Sequence, residues 1–174
     1  MSIRSHLLEQ HSRANADRIL AMVLDNLDLL PELMACFFSD EITVAQRASQ
    51  VVGDLGRQEP SLLLPWLEEL VEATEKPVHQ AIRRNAVRYF SELDEPIPSE
   101  LETKMINLCG PFVSDPEVPT AIGAFAMQFI AVRADRYPTA AFKLCDDLRK
   151  RMPTASAGFQ NRGRKLLKML EPDD

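Results

Sequence analysis

Residues 82–90 read Ile-Arg-Arg-Asn-Ala-Val-Arg-Tyr-Phe, with large apolar side chains at Ile82 and Phe90 and a small one, Ala86, midway between them. Apolar groups four residues apart fall on one face of an α-helix, so this stretch is predicted to be a helix with a single buried stripe. The same arrangement stands at Val44, Ala48 and Val52, at Ile122, Ala126 and Ile130, and at Phe159, Gly163 and Leu167. Their starting positions, Val44, Ile82, Ile122 and Phe159, are separated by 38, 40 and 37 residues. Recurrence at a nearly constant spacing marks a repeated structural unit, and the small central residue lets another helix approach each stripe closely.

A partner helix is expected before three of these stripes, beginning at Pro60-Ser61, Pro98-Ser99 and Pro138-Thr139, again 38 and 40 residues apart. Ser99 and Glu102 fit a capping box, in which the hydroxyl accepts a bond from a first-turn N–H that has no partner inside the helix. Behind these starts lie the apolar rows Leu63, Leu67 and Leu70, then Leu101, Met105 and Leu108, then Ala141, Cys145 and Leu148. Each unit is therefore a helix hairpin, and a hairpin that cannot bury both faces alone does so by stacking on its neighbours. Glycine is scarce, with 6 residues, and no strand-like alternation persists for more than a few positions. Pro65 falls near the fourth position of its helix and predicts an irregular first turn, whereas Pro31 is tolerable near the start of its own.

The segments 40–55 and 78–93 resemble the second helix of HEAT repeats, in which an Asp, a branched residue, an Arg and a small residue recur in that order. Asp40, Val44 and Ala48 match in the first segment, and Ile82, Arg83 and Ala86 in the second. Position 45 is Ala where the family often has Arg, Asp115 stands several residues too far from Ile122, and the last copy is rich in Gly and Lys. The resemblance implies an all-α fold, a right-handed α-α superhelix of about four hairpins forming one domain over residues 1–174. Residues 1–26 are expected to form an N-terminal cap, 28–170 the repeats and 171–174 a tail.

The 174 residues carry a net charge of -6, unevenly spread. Residues 1–148 hold 13 Lys and Arg against 23 acids, giving -10, and residues 149–174 hold 7 against 3, giving +4. An acidic body disfavours general nucleic-acid binding, while one basic end can grip an acidic partner. Cys36, Cys109 and Cys145 form no CxxC spacing and are expected to be buried thiols. No apolar run is long enough for a membrane span and Met1 to Gln10 carries charges where a signal peptide is apolar, so a cytoplasmic location is expected.

In HEAT-like stacks the second helices line the concave side, so residues two positions from each stripe are expected to face a groove. These are Gln46, Gln50, Arg84, Arg88, Gln128, Asn161 and Lys165, together with Ala124, and they make that groove polar to basic. Arg84 and Arg88 share a helix face, where like charges repel unless an acid such as Glu92 or an acidic ligand sits between them. No GxGxxG, P-loop or HExxH occurs, His6 and Glu9 lack a third metal ligand at helical spacing, and the adjacent carboxylates Asp146-Asp147 and Asp173-Asp174 point apart on a helix. No cofactor and no metal is expected. The leading expectation is a non-catalytic scaffold that binds a protein or peptide with an acidic segment.

Other classes make distinct demands. A HEAT-like DNA glycosylase has a similar architecture but needs a basic concave face along duplex DNA. Short helical proteins labelled adenylosuccinate lyase are similar in outline, yet the lyase's serine loop, S-S-x-M-P-x-K-x-N-P, has no counterpart here. A structural homodimer is the third, through the helix expected over residues 119–133, which is apolar nearly all round.

Overall fold

A computed structural model describes Ser2 to Glu171; Met1 and residues 172–174, which include the Asp173-Asp174 pair, lie outside the described residues. Among the described residues the regular structure is entirely helical. The helices are α1 (Ile3–Glu9), α2 (Arg13–Asp25), α3 (Leu30–Phe37), α4 (Ile42–Gln58), α5 (Leu67–Glu75), α6 (Gln80–Glu92), α7 (Ser99–Ser114), α8 (Thr120–Ala131), α9 (Pro138–Arg151) and α10 (Ala157–Leu170). The chain forms two compact units, and the division between them falls inside α6, after Tyr89.

In the first unit α4 is the element against which α1, α2 and α3 all pack. Its stripe is closed to solvent: Val44 is 1 % exposed, Ala48 0 % and Val52 3 %. Phe37, Leu33 and Leu55 fill the same core. The first turns of α1 and α2 are capped by Ser2, which accepts from Ser5 N–H, and Ser12, which accepts from Asn15 N–H. Pro31 sits in the first turn of α3, where its missing N–H costs no helical bond. Pro65 lies within a 3-10 stretch, Pro60–Trp66, that precedes α5, so the expected irregularity takes the form of a tighter winding. Helix α6 is tied to α4 by Asn85, whose Nδ2 donates to the Ser49 carbonyl at 2.6 Å, and Tyr89 Oη donates to the Pro60 carbonyl at 2.9 Å. Gly53 makes room for the first of these: a Cβ there would stand 2.8 Å from Asn85 Oδ1.

In the second unit α8 packs against α7, α9 and α10, which is why its sequence is apolar on most sides. Ile122, Ala126 and Ile130 are 2 % exposed or less, and the rings of Phe90 and Phe129 meet edge to face with centroids 6.3 Å apart. On α10, Phe159 and Gly163 are buried and Ser156 caps the first turn through Phe159 N–H. A Cβ at Gly163 would fall 2.8 Å from Met152 Sδ, so the small residue admits the preceding turn. Cys36, Cys109 and Cys145 are buried and unbridged, as expected, and burial pushes all three thiols up from their ordinary range.

Arginines close helix carboxyl ends from a distance. Arg83 donates from Nε to the Thr74 carbonyl at 2.8 Å and from Nη2 to that of Glu75 at 3.0 Å, which gives the family's motif arginine a defined task on α5. In the first copy, where Ala45 replaces it, Arg47 instead reaches the Leu7 carbonyl of α1 at 2.9 Å. At the corresponding point of α8 stands Gly123. Arg151, from the end of α9, fills the role there and donates to the carbonyls of Phe112, Val113 and Val118 at 3.1, 2.5 and 3.2 Å. A Cβ on Gly123 would lie 3.4 Å from Arg151 Nη1 and 3.1 Å from the Phe112 carbonyl oxygen.

Two expectations are corrected. The helix starts at Pro60, Ser99 and Pro138 have no side-chain cap bond from their N-cap residues Glu59, Pro98 and Tyr137. Ser99 is already inside α7, and Glu102, expected to fold back onto the helix start, turns into the core instead. The buried face of α7 accordingly runs Glu102, Met105, Ile106, Cys109, Phe112 and Val113, whereas Leu101 and Leu108 are only half-buried. Glu102 decides this rotation through a partner 31 residues away, Arg133.

Candidate binding surfaces

The groove residues fall on the second helices, and each unit carries its own set. In the first unit Gln46 and Gln50 are half-buried on α4; on α6 Arg84 is exposed and Arg88 half-buried. Among the described residues no carboxylate pairs with Arg84, so the expected neutralisation by a nearby acid does not occur at that position. In the second unit Gln128 is half-buried on α8 and its Oε1 accepts from Arg162 Nη1 at 3.2 Å. Asn161 and Lys165 are exposed on α10.

The α10 surface is larger than the spacing rule foresaw. Arg164 and Lys168 are also exposed, and with Asn161 and Lys165 they follow the i, i+3, i+4, i+7 order of one helix face. Arg164 leans on Gln160 Oε1 at 3.4 Å, and among the described residues neither Lys165 nor Lys168 has a carboxylate partner. Counting both neighbours of the apolar stripe, instead of one, would have found the pair in the sequence. Most other cations of this region are held: Lys143 by Asp147 at 2.6 Å, Lys150 by Asp146 at 2.5 Å, Arg149 by Glu171, and Arg151 by the carbonyls it caps. Asp146 and Asp147 thus serve different lysines and do not converge.

Two buried carboxylates organise further charge. In the second unit Glu102 Oε1 accepts from Arg133 Nε and from Arg136 Nη2, both at 2.8 Å. The Arg133 guanidinium also lies 3.9 Å over the Phe129 ring and donates to the Phe129 carbonyl at 3.3 Å. Glu102 is in the first turn of α7 and Arg133 just beyond the end of α8, so each charge complements a helix dipole. In the first unit Asp54 is held between Arg13 and Arg57. Neither arrangement places a nucleophile beside a base, and among the described residues no group of three His, Cys, Asp or Glu side chains is set to hold a metal ion. His6 Nδ1 bonds Glu9 Oε1 at 2.9 Å. That bond, with Arg18 adding to it, holds the Glu9 carboxyl below the usual carboxylate range.

A helical hairpin array with arginine-closed helix ends and small residues at its stripe centres defines a class of repeat scaffold. The family model for the HEAT repeat domain matches residues 3–151, and the chain belongs to that family. No curated protein and no solved structure matches it. It is a helical repeat scaffold, an architecture that often serves protein interaction. Among the described residues no helix is long and apolar enough to cross a membrane.

Proposed function

We propose that this chain is a non-catalytic module that binds a protein or peptide segment rich in acidic side chains through the polar-to-basic faces of its second helices. Gln46, Gln50, Arg84 and Arg88 serve on α4 and α6; Gln128, Asn161 and Lys165, extended by Arg164 and Lys168, serve on α8 and α10. The observation that carries this reading is that Arg84, Lys165 and Lys168 are exposed and, among the described residues, have no carboxylate partner in a chain of net charge -6, where acids outnumber bases and pairing is easy. Like charges gathered on one helix face destabilise it slightly, and an acidic ligand relieves that repulsion. Three buried, unbridged thiols suit a reducing compartment such as the cytoplasm.

The test is a titration of a fluorescent acidic peptide, with its charge-reversed counterpart as control, read by anisotropy. Saturable binding to the acidic peptide that weakens as salt rises, and that falls in Lys165→Ala and Arg84→Ala variants of unchanged stability, supports the proposal. Equal affinity for both peptides, or indifference to these substitutions, contradicts it.

A further inference from the structure

The second unit holds a cleft of about 560 Å³ between the second half of α7 and the first half of α9, well apart in chemistry from the basic faces. Its floor is apolar, from Ile106, Val113, Ile130 and Leu144, all buried. The cleft exists because the residues lining it on the two helices include the small Gly110 and Ala140. Gly110 is not required by packing: a Cβ built there meets nothing within 4 Å. Glycine is also the least favourable residue inside a helix after proline, so a bare backbone at this point needs another reason, and close approach of a bound molecule is one.

The next residue supplies a second observation. Pro111 lies inside α7 and has no N–H to give to the carbonyl of Asn107, four residues earlier. Asn107 and Pro111 both line the cleft, so the carbonyl deprived of its usual helical donor belongs to a residue of the cleft wall. The cations at the mouth are already held, Lys143 by Asp147 and Arg136 by Glu102, so the site offers no free charge for an ionic ligand. Its size falls in the range of small-molecule pockets, about 300–1,000 Å³.

We infer that this cleft binds an uncharged, largely aromatic small molecule that lays its ring over Gly110 and donates one N–H or O–H to the Asn107 carbonyl. The site needs nothing from the basic faces, so it stands or falls separately from the acidic-partner reading.

Indole and 1-methylindole, which differ by that single donor, are the probes, titrated into the full chain and followed by heteronuclear NMR. Indole is expected to bind saturably, shifting amides of residues 106–114 and 138–147, with 1-methylindole about fivefold weaker, the worth of roughly one hydrogen bond. Pro111→Ala returns an N–H to the Asn107 carbonyl and is expected to make the two probes equal. Gly110→Leu fills the cleft and is expected to abolish binding of both without lowering the melting temperature; Ala140→Leu fills it from the facing helix should the first variant fail to fold. Absence of saturable indole binding, no preference over 1-methylindole in the wild type, or unchanged binding in a folded cleft-filled variant overturns the inference.

Discussion

Replacing Glu102 by Leu strands a buried cation. Both side chains of the Glu102–Arg133 pair are almost fully enclosed, at 3 % and 5 % exposure, and removing one member of such a pair costs about 3–5 kcal/mol because the other charge stays buried without compensation. Arg136 is 60 % exposed and adds little to that figure. Arg133 keeps its ring contact and its bond to the Phe129 carbonyl, which places the expected loss near the lower end, about 3 kcal/mol. In urea, with a slope of roughly 2 kcal/mol/M, the unfolding midpoint should fall by about 1.5 M. The double variant Glu102→Leu, Arg133→Met removes both charges and should recover to within about 1 kcal/mol of wild type. A single variant that loses less than about 1 kcal/mol, or a double variant as unstable as the single, would refute the claim that the buried charge pair sets the face of α7.

Gly123→Val should destabilise by about 2 kcal/mol, read from thermal melts, because the new side chain meets the Phe112 carbonyl and pushes Arg151 off the carboxyl end of α7; a melting temperature equal to wild type would mean that Arg151 does not cap there. Native protein at pH 8 should leave an aromatic disulfide reagent unreacted, and denaturant should release all three thiols, since burial raises each of them; one fast native thiol would contradict the packing of its helix. The Glu9 and Glu41 carboxyls are depressed below the ordinary 4.5 by bonds from His6 and Arg4, so their contribution to stability is present above that pH and is lost as pH falls through the lower folded values. Acid titration of Glu41→Gln should therefore show a shallower decline below about pH 4.5 than wild type, and identical curves would exclude the Arg4–Glu41 bond as a contributor.

The second helices were legible because their signal is local. Ile82, Ala86 and Phe90 lie on one face whatever surrounds them, and so do Val44, Ala48 and Val52 and Ile122, Ala126 and Ile130. On α10 Phe159 and Gly163 are buried as expected, but Leu166 takes the place expected of Leu167, which is half-buried. Helix starts were less so. Ser99 and Glu102 satisfy the pattern of a capping box, but Glu102 has a stronger partner in Arg133, and a sequence pattern contains no information on a residue 31 positions away. The same non-local choice turned Leu101 and Leu108 toward the surface. Arg151 shows the converse case: its task on α7 follows from the absence of a side chain at Gly123, which only the packed helices reveal. At the candidate surface, Lys165 and Asn161 were reached by counting two positions from the stripe, while Arg164 and Lys168, one position from Gly163 and Leu167, fall outside that count although they share the exposed face of α10.

The most direct test of the functional reading is a quantitative pull-down from native lysate, comparing wild type with an Arg84→Ala, Arg88→Ala, Lys165→Ala variant whose melting temperature is unchanged. The account predicts a protein with an acidic segment that wild type enriches and the variant loses. Recovery of the same proteins by both, or of none by either, would contradict a module that works through its basic faces.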